Sequence, residues 1–155
     1  MHSRIYQISS EPIKEENLIE EYRYDEWHHA DYVVKQTSET DIESDLEWLQ
    51  TATKGITVDT KAKTIVITSK KEYFDEKHDK FKELLEKLQD VTLEEFISTK
   101  NHFTVEELKD AYEDKHGFYV DDNDKWIGLT NLDNWVRNAE EGKIYYIGNI
   151  FDYHF

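Results

Sequence analysis

At 155 residues the chain is long enough to bury a sizeable core as one domain spanning 1–155, and the absence of cysteine excludes disulfides and thiolate metal sites. Its 35 acids against 19 bases give a net charge of -16, which disfavours nucleic acid and anionic membranes as direct partners and favours a basic one. The 4 Trp, 10 Tyr and 7 Phe exclude the aromatic-poor disorder that usually accompanies such charge.

The first residues contain no apolar leader core, and no apolar run reaches membrane-spanning length. With the missing cysteines, this leads to the expectation of a cytoplasmic protein. Arg4 to Ser9 alternates weakly and reads as an edge strand. After Pro12, the stretch Ile13 to Tyr22 carries Ile13, Leu18, Ile19 and Tyr22 in an imperfect helical stripe. Ala30 to Lys35 reads as a strand. Thr40 opens a helix as N-cap, with Glu43 three residues on and Ile42, Leu46 and Leu49 on the apolar side.

Gly55 to Lys70 holds the strongest strand signal in the chain. Ile56 and Val58 alternate with polar residues, and Thr64 to Thr68 is a β-branched run. Two such runs predict an antiparallel hairpin facing Ile56 and Val58 towards a core, together with either Ile65 and Ile67 or Val66. The link Thr60-Lys61-Ala62-Lys63 lacks the Asn-Gly or Asp-Gly pair of a two-residue turn, so a four-residue loop is expected. Glu72 to Leu88 is the longest helical pattern, with Tyr73, Phe74, Phe81, Leu84, Leu85 and Leu88 on one face, and is expected to lie across that hairpin. Thr92-Leu-Glu-Glu-Phe and Thr104-Val-Glu-Glu-Leu both read as capping-box starts of short helices. Gly117 is a natural stop for the second. Phe118 to Val120 is a short strand, Asp121 to Asp124 an acidic turn, and Thr130 or Asn131 the cap of a helix ended by Gly142. Lys143 to Gly148 is a strand, and the apolar tail to Phe155 should dock on the body or a partner. The fold class is therefore α+β, an antiparallel sheet of about four or five strands built on the 55–70 hairpin and covered by the 72–88 helix and shorter helices.

Few patterns carry chemistry. Counted as a calcium loop from Asp121, position six is Trp126 and position twelve Leu132, where glycine and glutamate are needed. His28, His29 and Asp31 lie close in sequence, but adjacent residues of a strand point to opposite faces and cannot share an ion. No metal or other cofactor is expected. The nucleophile elbow, the phosphate loop and the dinucleotide fingerprint are absent, and no catalytic residue stands out among so many acids.

What remains is charge and aromatics. Glu11 to Glu47 holds 13 acids against 3 bases and Glu83 to the end holds 17 against 7, so the 54–82 segment, with 8 bases against 5 acids, is the one basic island. Carboxylates beside aromatic anchors suit a protein interface. The candidate binding residues are Glu20, Glu21, Tyr24, Asp25, Glu26 and Trp27, with Tyr146, Phe151 and Tyr153 near the end. Together they suggest a non-catalytic binding or inhibitory protein docking a basic protein, by class analogy with immunity proteins and nucleic-acid mimics. The alternatives are a small enzyme with an unrecognised His/Asp/Glu site, or a subunit that self-assembles through Phe151, Tyr153 and Phe155.

Overall fold

Pairing between the first and last segments of the chain builds the centre of the sheet. The computed structural model describes residues 1–125 and 128–155; Trp126, which occupies position six of the calcium-loop test, lies outside the described residues. In order the elements are β1 (His2–Ser9), two 3-10 turns (Glu15–Asn17 and Glu21–Tyr24), β2 (Tyr32–Lys35), α1 (Glu39–Ala52), β3 (Ile56–Asp59) and β4 (Thr64–Ile67). They continue with α2 (Lys70–Gln89), α3 (Leu93–Ile97), α4 (His102–Tyr112), β5 (Tyr119–Asp122), β6 (Leu129–Asn131), α5 (Leu132–Asn138) and β7 (Ile144–His154).

The strands form one mixed seven-stranded sheet in the order β3-β4-β7-β1-β5-β6, with β2 added to β7. This is larger than the expected four or five antiparallel strands, and β1 with β5 is a parallel pair. The first strand is central and not an edge, because Ile5, Tyr6, Gln7 and Ile8 are buried whichever face they point to. The C-terminal strand runs on through the apolar tail to His154, so the tail docks as sheet. Its antiparallel register with β1 pairs Tyr6 with Ile150 and Ile8 with Ile147, which leaves Gly148 and Asn149 together opposite Gln7. That is a β-bulge. A Cβ on Gly148 would stand 2.5 Å from the Gln7 Oε1, so glycine is needed there.

Gln7 itself is fully buried. Its Oε1 accepts from the Ile19 and Asn149 N–H groups, each at 3.1 Å. Its Nε2 donates to the Asn17 carbonyl at 2.8 Å and to Asn123 Oδ1 at 3.1 Å. One amide thus joins the bulge, the 3-10 segment and the loop after β5. The 13–22 stretch forms two 3-10 turns and not the expected helix, since its backbone groups at Asn17 and Ile19 are held by this side chain.

Two cores result. On one face α1, α5 and the first turn of α2 cover Tyr6, Ile8, Ile56, Ile65, Ile67, Val120, Ile147 and Ile150, with Trp135 at the centre. On the other, Tyr24 and Trp27 cover Ile5, Tyr119, Phe151 and Tyr153. The hairpin forms as expected, with Ile65 and Ile67 joining Ile56 inside and residues 60–63 as the loop, where Asp59 Oδ1 accepts from the Lys61 and Ala62 N–H groups. Gly55, at φ 68°, admits no side chain because a Cβ would stand 2.1 Å from the Ser69 carbonyl oxygen.

The long helix is the chief departure. Only Tyr73 and Phe74 of α2 reach the hairpin core; the remainder packs against α4, burying Leu84 and setting Phe81 beside Tyr112. Leu85, expected inside, is 50% exposed because the partner helix covers only one side. Caps also shift. Ser38 caps α1 in place of Thr40, and α4 begins at His102, which puts Thr104 inside the helix. Thr92 and Asn131 cap as the sequence suggests, Thr92 with its full capping box, and Ser69 adds a cap at the start of α2.

Gln7→Leu should be severely destabilising, since it strands two donors and two acceptors at roughly 1–3 kcal/mol for each group that water cannot reach. A urea-unfolding midpoint measures this. Phe81→Ala, in the half-buried α2–α4 seam, should cost less than the roughly 3–5 kcal/mol of a fully buried Phe→Ala change.

Candidate functional site

The residues singled out from sequence do not assemble into one surface patch. Tyr24, Phe151 and Tyr153 form the second core, and their rings are closed off from any partner. Trp27 is half-buried, edge-on to Tyr119 at 4.9 Å and to Tyr153 at 5.1 Å. Tyr146 is half-buried in β7 opposite Ser9 and Thr64. Burial of these rings has a simple cause: the helical elements cover one sheet face, and the 3-10 segment needs aromatics to close the other. Among the acids, Asp25 and Glu26 are exposed, Glu20 pairs with Lys35 Nζ at 2.5 Å, and Glu21 accepts from the Lys35 N–H at 3.1 Å. Self-assembly through Phe151 and Tyr153 would likewise require side chains that the sheet has buried.

The buried carboxylates act as latches. Asp121, expected in a polar turn, lies within β5 and is fully buried; Arg23 donates to it through Nε at 2.7 Å and Nη2 at 3.1 Å, and the Tyr24 hydroxyl donates at 3.1 Å. Burial is the main cause that pushes the Tyr24 phenol up, with the Asp121 charge adding to it. Asp133 receives the Tyr73 hydroxyl at 2.8 Å, Lys77 Nζ at 3.1 Å and the Asp114 N–H at 3.0 Å. It floors a cleft of about 620 Å³ lined by Trp48, Phe118, Lys77 and Glu72, but both of its oxygens are already engaged by the chain. Asp45 pairs with Arg4 Nε at 2.7 Å, and Arg4 also reaches Asp152 at 2.5 Å. Burial raises the Asp45 carboxyl above its ordinary value, and the Arg4 guanidinium pulls it part of the way back. Among the described residues no group of three His, Asp or Glu is arranged to hold a metal ion. No helix among them is long and apolar enough to cross a membrane.

Exposed apolar side chains collect elsewhere, on the arm formed by α2, α3 and α4. Leu93, Phe96 and Ile97 lie at i, i+3 and i+4 of α3, and Phe103 opens α4; all four are between 75% and 78% exposed. This arm is acidic. Glu83 pairs with Lys80 and Lys87, Glu95 with Lys100, and Glu106 with Lys109 and Lys115. Glu86, Asp90, Glu94 and Glu107 have no ion-pair partner among the described residues. Further along α4 runs a groove of about 630 Å³, bounded by Phe81, Leu108 and Tyr112 on the arm and by His29 and Tyr119 on the second sheet face.

The apolar tip escaped the sequence reading because Leu93, Phe96 and Ile97 have helical spacing, the pattern of a buried face. A five-residue helix with no element folded over it is the feature that separates the two cases, and periodicity does not report it. No family model, curated protein or solved structure matches the chain.

A carboxyl whose folded value is raised stabilises the fold fully below its unfolded value and loses that contribution as pH rises through the folded one. For Asp45 the window opens upward from the ordinary value of 3.8. Asp45→Asn, which cannot titrate, should therefore cost more stability at about pH 4 than at about pH 7, read from urea midpoints at both.

Proposed function

We propose that the chain is a non-catalytic binding or inhibitory protein that docks a basic protein partner through its acidic, apolar-tipped α2–α4 arm. One observation carries this: Leu93, Phe96, Ile97 and Phe103 stand three-quarters exposed within eleven residues of a strongly acidic chain. Apolar side chains in that number mark an interaction surface on a folded protein. The surrounding charge selects the occupant. A second copy would set one net charge of -16 against another, and an anionic bilayer would repel the unpaired carboxylates of the arm. A basic protein satisfies both parts of the surface, since apolar anchors supply affinity and carboxylates around them steer encounter. The latched state of Asp133 supports the non-catalytic half of the reading, because both oxygens of this cleft carboxylate are engaged by the chain. The class resembles immunity proteins and nucleic-acid mimics only in this logic of charge. A cytoplasmic setting, where basic nucleic-acid-binding proteins are plentiful, suits the cysteine-free composition.

Affinity capture from a host lysate at low and at high salt, with the intact chain and with a Phe96→Ser, Phe103→Ser variant, tests this. The expected result is a discrete basic protein that releases with salt, because the Debye length falls to about 8 Å at physiological ionic strength. The double variant should lose it by at least about tenfold while melting unchanged, as both side chains are exposed. Capture that ignores the double substitution, or capture of nothing, would contradict the proposal.

A further inference from the structure

We infer that the groove beside α4 is a socket for an arginine side chain of the partner. The inference rests on the partner-docking reading and assigns it a second, chemically specific contact. Phe81, Leu108, Tyr112 and Tyr119 supply the apolar and aromatic walls of the groove, and Glu106, Asp110 and Glu113 are its carboxylates. Glu106 is already shared between Lys109 at 2.7 Å and Lys115 at 3.4 Å. Asp110 and Glu113 are half-buried and have no ion-pair partner among the described residues. Lys109 and Lys115 also line the groove, but both are taken up by Glu106, so Asp110 and Glu113 are the partly desolvated carboxylates left to favour an entering cation. The Glu113 and Asp114 charges already act on this wall, adding to the burial that raises the Tyr119 phenol.

The walls select arginine over lysine. A guanidinium is planar, weakly hydrated, stacks on aromatic faces and can be held by two carboxylates, whereas an ammonium is a compact, strongly hydrated point charge. The chain shows the pairing on its own account: Arg137 lies over the Tyr112 ring at 4.3 Å, while Tyr112 remains 55% exposed and lines the groove. The groove and the apolar tip share one helix, with Phe103 and Tyr112 nine residues, or about 14 Å, apart along α4. A single basic segment can engage both.

Titration of the intact protein with N-acetyl-arginine amide, followed by the ring signals of Tyr112 and Tyr119 and the methyl signals of Leu108, tests the socket. Saturable shifts confined to these residues are expected, weakened at least about tenfold for the neutral citrulline analogue and for an Asp110→Asn, Glu113→Gln variant. Shifts spread evenly over the acidic surface, or shifts indifferent to that variant, would overturn it. The two proposals fail separately. A captured basic protein that is lost with the tip variant yet binds the Asp110→Asn, Glu113→Gln variant unchanged refutes the socket alone. Arginine amide binding in the groove, with no basic protein captured, refutes the docking reading and leaves the socket standing.

Discussion

The bulge in β7 against Gln7 is the constraint on which the rest of the structure depends. Two residues, Gly148 and Asn149, stand where one would keep register, and the fully bonded Gln7 amide fills the space that glycine leaves. On either side of this point β7 takes a different neighbour along one edge. Its first residues, Ile144 to Tyr146, pair with β4, and its last, Phe151 to His154, pair with β2. The sheet therefore gains two strands from one long one. The same amide holds Asn17 and Ile19, so the 3-10 segment is laid over the second face, where Tyr24 and Trp27 complete a second core.

That arrangement accounts for where the aromatics and acids end up. A sheet covered on both faces needs many rings, and it absorbs Tyr6, Tyr24, Trp135, Tyr145, Phe151 and Tyr153. Acids that fall inside are held by Arg23, Lys77, Arg4 or tyrosine hydroxyls and act as ties between elements. Removing one partner of such a tie would leave a buried charge, which is why these residues are structural commitments. The arm is different. Its α2–α4 seam buries Leu84, while α3 buries nothing and turns its apolar residues outward.

Local signals in the sequence carried well. The 55–70 hairpin, its four-residue loop and the caps Thr92 and Asn131 all follow from side-chain alternation and from hydroxyl or amide groups at helix starts. Long-range placement did not carry. Arg4 to Ser9 alternates weakly because it is central and buried on both faces, which removes the polar alternation that marks a half-exposed strand. The apolar face of the 72–88 helix was legible, but an amphipathic pattern does not say whether its complement is a sheet or another helix. Three of the candidate aromatics lie in the core for a related reason. Aromatics at Tyr24, Phe151 and Tyr153 mark a core or an interface equally well, and only the path of the 3-10 segment decides between them. The groove beside α4 joins Tyr112 and Tyr119 to His29, more than eighty residues earlier in the chain.

The central claim, that the α2–α4 arm is the docking surface for a basic protein, is tested most directly by oxidative footprinting of the chain alone and in complex with the basic protein it captures at low salt. Phe96, Phe103 and Tyr112 should become protected in the complex, while Tyr22, exposed on the 3-10 segment, should react as it does in the free chain. Protection of Tyr22 with Phe96 and Phe103 left fully reactive would contradict the account.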